Sequence, residues 1–213
     1  MRVYKHIDSL IKRYPELIVC KDDIMHAYKL LKEAYERDGK LLVVGNGGSA
    51  SDSEHIVGEL MKEFHLKRKI LTDLAETMKL IDLEMGTVLS ENLQSALPAI
   101  CLSGHSSLTT AFMNDVNAEL VFAQQVNGYG KANDVFWGIT TSGNSKNVVY
   151  AAITAKAKGM KVIGLTGKHK SKMSCLADCC ICVPETETYK IQELHLPIYH
   201  CLCLMLEENF FGS

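Results

Sequence analysis

No apolar run in this 213-residue chain reaches the roughly 18 to 20 residues a membrane-spanning helix needs. The richest stretch, Ile198 to Leu206, is interrupted by His200. The charged start, Met1-Arg2-Val3-Tyr4-Lys5-His6-Ile7-Asp8, lacks the apolar core of a secretion signal, which sets the expectation of a cytoplasmic protein. Charge of one sign is not blocked together either: 23 Lys and Arg face 25 Asp and Glu, a net of −2. That balance argues against nucleic-acid capture through bulk charge. The eight cysteines form no pair of C-x-x-C knuckles, although Cys175, Cys179, Cys180 and Cys182 crowd together. Cys180-Ile181-Cys182-Val183 reads as a buried strand in which cysteine serves as a small hydrophobe, with metal or redox use as the alternative. Tandem repeats and low-complexity segments are missing too.

What is present is an ordinary globular composition, 47% hydrophobic and 23% charged, long enough for one domain over residues 1–213 with a sizeable core. Ile7, Leu10 and Ile11, then Ile24, Tyr28, Leu31 and Tyr35, recur at helical spacing, so residues 1–38 predict two helices joined near Pro15. Leu41-Leu42-Val43-Val44 is a continuous apolar run of the kind a parallel strand covered on both faces shows. Similar runs follow at 97–102, 134–139, 161–165 and 179–183. Between them lie helical segments at about 50–64, 107–126, 145–158 and 189–209, with a short turn near Lys172. This alternation predicts a three-layer α/β/α sandwich around a five-stranded parallel sheet. Residues 65–94 carry Leu71, Leu74, Met78, Ile81 and Met85 at helical spacing. They read as an inserted helix or helical hairpin near the mouth of the first glycine-rich turn, or as a solvated excursion.

Two turns carry chemistry. Gly45-Asn46-Gly47-Gly48-Ser49 follows a strand and opens a helix, so backbone amides and a helix N-terminus can face an anion together. It has neither the lysine of a Walker loop nor the third glycine of a dinucleotide fingerprint, and a purely structural tight turn would also explain it. Thr140-Thr141-Ser142-Gly143-Asn144-Ser145 stands in the same place after its own strand, and its hydroxyls can hold phosphate oxygens. Turns at the carboxyl ends of parallel strands meet in the ligand crevice of open α/β sheets, and a small phosphorylated metabolite is the simplest occupant. His55 and Glu59, four apart on the helix after the first turn, share one face. Gln192 and His200 lie a little over two turns apart, with Glu193 and His195 close by. If both helices reach the crevice, these groups form a divalent-metal or acid–base cluster; otherwise the histidines simply belong to an amphipathic helix.

These motifs in this order, with Ile191-Gln192-Glu193, resemble the SIS (sugar isomerase) domain family and, within it, the phosphoheptose isomerases, over about residues 21–206. The resemblance implies that His55, Glu59, Gln192 and His200 surround one zinc ion per site, with Glu59 as base and His200 as acid. It implies that Ser49, Thr141, Ser142 and Ser145 hold the sugar phosphate, with Asn46 close by and Asn114-Asp115 as an acidic pair near the site. With the backbone of Gly47 and Gly48, with Thr140 and with Gln192, these make up the expected substrate-binding set. The implied reaction is aldose–ketose isomerisation, sedoheptulose 7-phosphate giving a glycero-manno-heptose 7-phosphate. Non-catalytic relatives that bind a replication initiator, or sugar-phosphate sensors, are the alternative. The chain departs from the pattern at Glu63, where an arginine is common and Lys62, Lys67 and Arg68 stand as substitutes, and at Tyr189, where some members have aspartate. The apolar stripe of residues 7–31 is expected to pack on another subunit. The family implies a homotetramer of two dimers with the 189–209 helix near the interface.

Overall fold

The computed structural model describes residues 3–212; Met1 and Arg2 of the charged N-terminus, and Ser213, lie outside the described residues. Each apolar run becomes a strand: β1 (Leu41–Val44), β2 (Ala99–Cys101), β3 (Val135–Ile139), β4 (Lys161–Thr166) and β5 (Cys179–Cys182). They form one parallel sheet in the order β2-β1-β3-β4-β5. Side chains alternate across it. Leu41, Val43, Trp137, Ile163 and Ile181 face one core, and Leu42, Val44, Phe136 and Val162 face the other.

The first core is covered by α1 (Tyr4–Arg13), α2 (Lys21–Tyr35), α3 (Gly48–Met61) and α10 (Thr188–Phe211). The second is covered by α7 (Val121–Tyr129), α8 (Lys146–Ala157) and the short α9 (Lys172–Leu176). The expected three-layer sandwich is therefore present. Among the described residues no helix is long and apolar enough to cross a membrane.

Three expectations change. The N-terminal stripe does not wait for another subunit: Ile7, Leu10, Ile24, Tyr28 and Leu31 are all buried in the chain's own core, with Ile11 packed at its edge. The reason is α10, whose apolar residues run all round it and need covering on the side away from the sheet. It is thus an interior helix, in contact with α1, α2 and α3. Second, residues 107–126 are not one helix. Beyond α6 (Ser106–Phe112) the chain widens into a π-type turn, Met113–Asn117, then breaks at Asn117, whose extended backbone lets its side chain accept from Glu119 N at 2.8 Å.

Third, residues 65–94 fold as a helical hairpin, α4 (Thr72–Ile81) and α5 (Leu83–Asn92), but away from the first turn. Fourteen residues of α3, a rise of about 21 Å at 1.5 Å each, separate that turn from the hairpin's point of departure. A bridge between Lys69 and Gln94 closes its base, and Asp82 caps α5 by accepting from Met85 N at 2.8 Å. The hairpin packs mainly on itself and buries almost nothing; Leu80 is 87% and Ile81 81% exposed.

Candidate active site

Strand order places the site. β1 and β3 are neighbours in parallel register, Val44 beside Gly138, so the two turns that follow them emerge side by side at the carboxyl edge. There the connections leave in opposite directions, β1 to β2 and β3 to β4, which opens a crevice. Asn46 in the first turn and Asn147 in the first turn of α8 tie the two loops by exchanging amide hydrogen bonds, 2.9 Å each way. Asn147 is a site-building residue that sequence reasoning missed.

The first turn runs through Gly47 into α3, with Ser49 buried behind it. Gln192 of α10 lies on Gly48, its Nε2 2.6 Å from where a Cβ would stand, so a side chain there would push the amide away from the loop backbone. In the second turn Thr140 Oγ1 and Ser145 Oγ lie 2.9 Å apart and engage each other, while the Ser142 hydroxyl is exposed and accepts from Asn144 N at 3.2 Å. Gly143 is at φ +64° and lies against the Ser171 side chain, so this turn too has no room for a Cβ. Thr141 and Ser142 line a cavity of about 300 Å³ with Lys168, His169, Glu185 and Thr188. Lys168 and His169, in the loop after β4, stand beside the second turn, and the motifs alone did not single them out.

Three of the four expected helix residues meet, His55, Glu59 and His200, while Gln192 lies on Gly48 instead. His55 Nε2 lies 3.1 Å from Glu59 Oε1, and the rings of His55 and His200 are 4.9 Å apart, edge to face. Burial, with His55 as a second cause, holds the His200 imidazole below its ordinary pKa. Glu59 Oε2 and His200 Nε2 are both buried without a hydrogen-bond partner. On the other side of His200 opens a cavity of about 310 Å³ lined by His6, Arg13 and Tyr14 of the N-terminal segment. His195, three residues after Gln192, points into the core rather than the crevice; burial drives its pKa down to about 4.

Asn114 and Asp115 lie in the exposed π-type turn and hydrogen-bond each other at 2.8 Å; among the described residues neither makes a hydrogen bond to the two turns, although Glu119 just beyond them pairs with Lys146 at the start of α8 at 3.0 Å. Arg68 is no substitute for a substrate-facing arginine: it is 2% exposed and pairs with Glu207 at 2.8 Å. It also donates to the carbonyls of Leu60 and Glu59 at 2.7 and 2.9 Å, satisfying the last turn of α3. Glu207 in turn accepts from the amides of Phe64, His65 and Leu66 at 2.9 to 3.1 Å. Burial pushes the Glu207 carboxyl up, but these donors and Arg68 outweigh it and hold the pKa below its ordinary value. The pair clamps the end of α3 to α10, and so fixes Glu59 relative to His200.

With that geometry in hand, comparison with known proteins is decisive. The SIS domain family model matches residues 5–94 and 81–167. The chain belongs to the SIS domain family. Its relatives include the phosphoheptose isomerase of Aneurinibacillus thermoaerophilus, 34% identical over 99% of this chain and 95% of that one. That of Helicobacter pylori strain P12 is 38% identical over 96% and 92%. The solved structure of a phosphoheptose isomerase from Neisseria gonorrhoeae superposes with a TM-score of 0.74 at 30% identity, covering 97% of both chains. Within the SIS family the chain thus groups with the phosphoheptose isomerases. Among the described residues no three His, Cys, Asp or Glu side chains stand together at a spacing that holds a metal ion.

Proposed function

We propose that this sugar-phosphate isomerase converts sedoheptulose 7-phosphate into a glycero-manno-heptose 7-phosphate, with Glu59 as the base and His200 as the acid. One observation carries the reading. Glu59 Oε2 and His200 Nε2 are buried without a hydrogen-bond partner on α3 and α10, the two helices that meet at the first turn through Gly48 and Gln192, and the Lys62 ammonium stands 3.7 Å from Glu59 Oε2. Buried polar atoms without hydrogen-bond partners cost free energy, so a pair of them on facing helices is most simply explained by a ligand that completes them.

Moving a carbonyl from the second carbon of a ketose to the first requires a proton to leave one carbon and return to its neighbour through a cis-enediolate. The Glu59 carboxylate, largely screened from water, can carry that proton, and His200 can protonate and deprotonate the oxygens. The N-termini of α3 and α8, with Ser49, Thr141, Ser142 and Ser145, would hold the phosphate and so fix which carbons face Glu59.

His55, Glu59, Gln192 and His200 suit zinc by donor chemistry, two imidazole nitrogens and two oxygens with no thiolate. Glu59 Oε2 and His200 Nε2 have no hydrogen-bond partner and could serve as ligands, although His55 and Glu59 spend a hydrogen bond on each other and Gln192 lies on Gly48 rather than beside them. When bound, zinc would supply electrostatic stabilisation of the enediolate oxygens.

We further propose a homotetramer assembled as two dimers. Its support is the α4–α5 hairpin, where Leu71, Leu80, Ile81, Leu83, Met85 and Val88 are exposed on one excursion. So many exposed apolar side chains on one short excursion are characteristic of a subunit interface.

The substrate assignment is tested by incubating the protein with five-, six- and seven-carbon ketose phosphates and following aldose formation. The seven-carbon sugar is expected to give the highest kcat/KM. Conversion of a shorter sugar with higher kcat/KM would move the substrate, and no conversion of any would remove the catalytic reading.

A further inference from the structure

The two turns are joined by a residue that belongs to neither. Asn147 stands two positions beyond Ser145, as the second residue of α8, and is half-buried. Its Nδ2 donates to Asn46 Oδ1 and its Oδ1 accepts from Asn46 Nδ2, each at 2.9 Å. The same Oδ1 accepts from Val148 N at 2.9 Å. A backbone N–H can only donate, so the atom of the Asn147 amide that faces Val148 is its oxygen. That fixes which way round the Asn147 amide lies, and the paired bonds then fix the Asn46 amide. Asn46 keeps one N–H for a ligand.

The two turns do not start from equal footing. The second is braced by α9: Asn144 Oδ1 accepts from Lys172 N and Gly143 O accepts from Met173 N, each at 3.0 Å. Asn144 Nδ2 also donates to Ser142 O at 3.0 Å, which stiffens the turn from within. The first is held at its β1 side, where Ser103 Oγ donates to Gly45 O at 3.1 Å. Its tip is the exposed run Asn46-Gly47-Gly48, with Gly47 at φ +56°. Glycine loses the most conformational freedom on ordering, so this tip is the costly part to hold still. Ser49 N donates to Asn46 O at 3.1 Å and Ala50 N to Gly47 O at 2.9 Å, which starts α3. Asn46 is thus where the side-chain tie and the start of α3 meet.

We propose that Asn147 is a positioning residue that sets the first turn against the second by acting through Asn46, so that both turns present their donors to one anion. A loop ordered before the ligand arrives adds no ordering cost to binding. The inference deepens the reading of the two turns as the phosphate site and rests on it for its effect on affinity. The tie itself belongs to the free protein and is measured without ligand.

The test compares the full-length wild type with Asn147→Ala, Asn46→Ala and the double variant. In hydrogen–deuterium exchange mass spectrometry of the free proteins, Asn147→Ala is expected to speed exchange at the Ser49 and Ala50 amides, in the other loop, as well as at Val148. A residue that only caps α8 would loosen 146–148 and leave 49–50 unchanged, and that result overturns the proposal. In calorimetric titration, Asn147→Ala should bind inorganic phosphate about 3- to 10-fold more weakly, the range that loss of an ordinary hydrogen bond gives. Its KM for sedoheptulose 7-phosphate should rise alike, with kcat within about threefold of wild type, as for a loss of binding common to ground and transition states. Adding Asn147→Ala to Asn46→Ala should weaken phosphate binding by less than about twofold more, because the two act as one unit. Additive losses would show that Asn147 acts by another route and overturn the proposal. So would an Asn147→Ala chain that does not fold. Faster exchange at Ser49 in the variant of a protein whose wild type binds no phosphate supports the tie and removes phosphate from the two turns.

Discussion

The N-terminal helices and the α4–α5 hairpin carry the same kind of sequence, apolar residues every three or four positions, and the fold treats them in opposite ways. Ile7, Ile24 and Leu31 are wholly buried against α10, whereas Leu80, Ile81 and Leu83 stand in solvent. A periodic stripe states that a helix needs a covering surface, not which surface covers it. What separates the two regions is the neighbour. The N-terminal helices have a long apolar helix of their own chain to pack on, and the hairpin departs from the far end of α3 and packs mainly on itself.

The largest expected effect comes where the two regions join. Arg68 precedes the hairpin and pairs with Glu207 inside the core, so Arg68→Met leaves a buried carboxylate without its cation. A loss of about 3 to 5 kcal/mol in urea unfolding is expected. A loss below about 1 kcal/mol would show that the backbone amides of residues 64–66 hold Glu207 unaided.

Next, Ile24→Ala should cost about 2 to 5 kcal/mol of unfolding free energy, the usual range for a large-to-small change in a core. Leu80→Asp with Ile81→Asp should leave the subunit's fold intact by far-UV circular dichroism. Light scattering should show its mass falling from about four chains to one or two. If the double variant keeps the wild-type mass, the assembly surface is elsewhere; if Ile24→Ala is harmless, the N-terminal helices are not core.

The smallest effect separates the regions by pH. His195, in the core, has a pKa of about 4, below the ordinary 6.5, so the unfolded chain takes up a proton before the folded one does. Stability from this group is full above pH 6.5 and is lost as pH falls toward 4. About 2 kcal/mol should disappear between pH 7 and pH 5, and His195→Gln should flatten that slope. An unchanged slope in the variant would assign the acid loss to other groups.

These differences mark what the sequence could and could not convey. All five strands were legible within a residue or two, because continuous apolar runs bounded by turn residues mean buried parallel strands. Gly45–Ser49 and Thr140–Ser145 were legible as turns for the same local reason, and His55 with Glu59 because four residues is one helical turn. Arg68 was misread because its partner is 139 positions away, and no local pattern records a buried pair. Tyr199 escaped notice because it reads as one more apolar residue of α10; only the fold brings its hydroxyl to Asp52 and His55 of α3, at 3.2 and 3.1 Å. The break at Asn117 was missed as well, although Asn is a residue that competes for backbone amides.

The claim on which the account turns is that Glu59 moves the proton, and steady-state kinetics of Glu59→Gln with sedoheptulose 7-phosphate test it directly. The variant keeps the size of the side chain and removes its basicity. Turnover should fall by roughly three orders of magnitude or more, about 4 kcal/mol or more of barrier, while KM stays within a few-fold of wild type. Turnover within about tenfold of wild type, a barrier change of only about 1.4 kcal/mol, would contradict it and leave the crevice without its base.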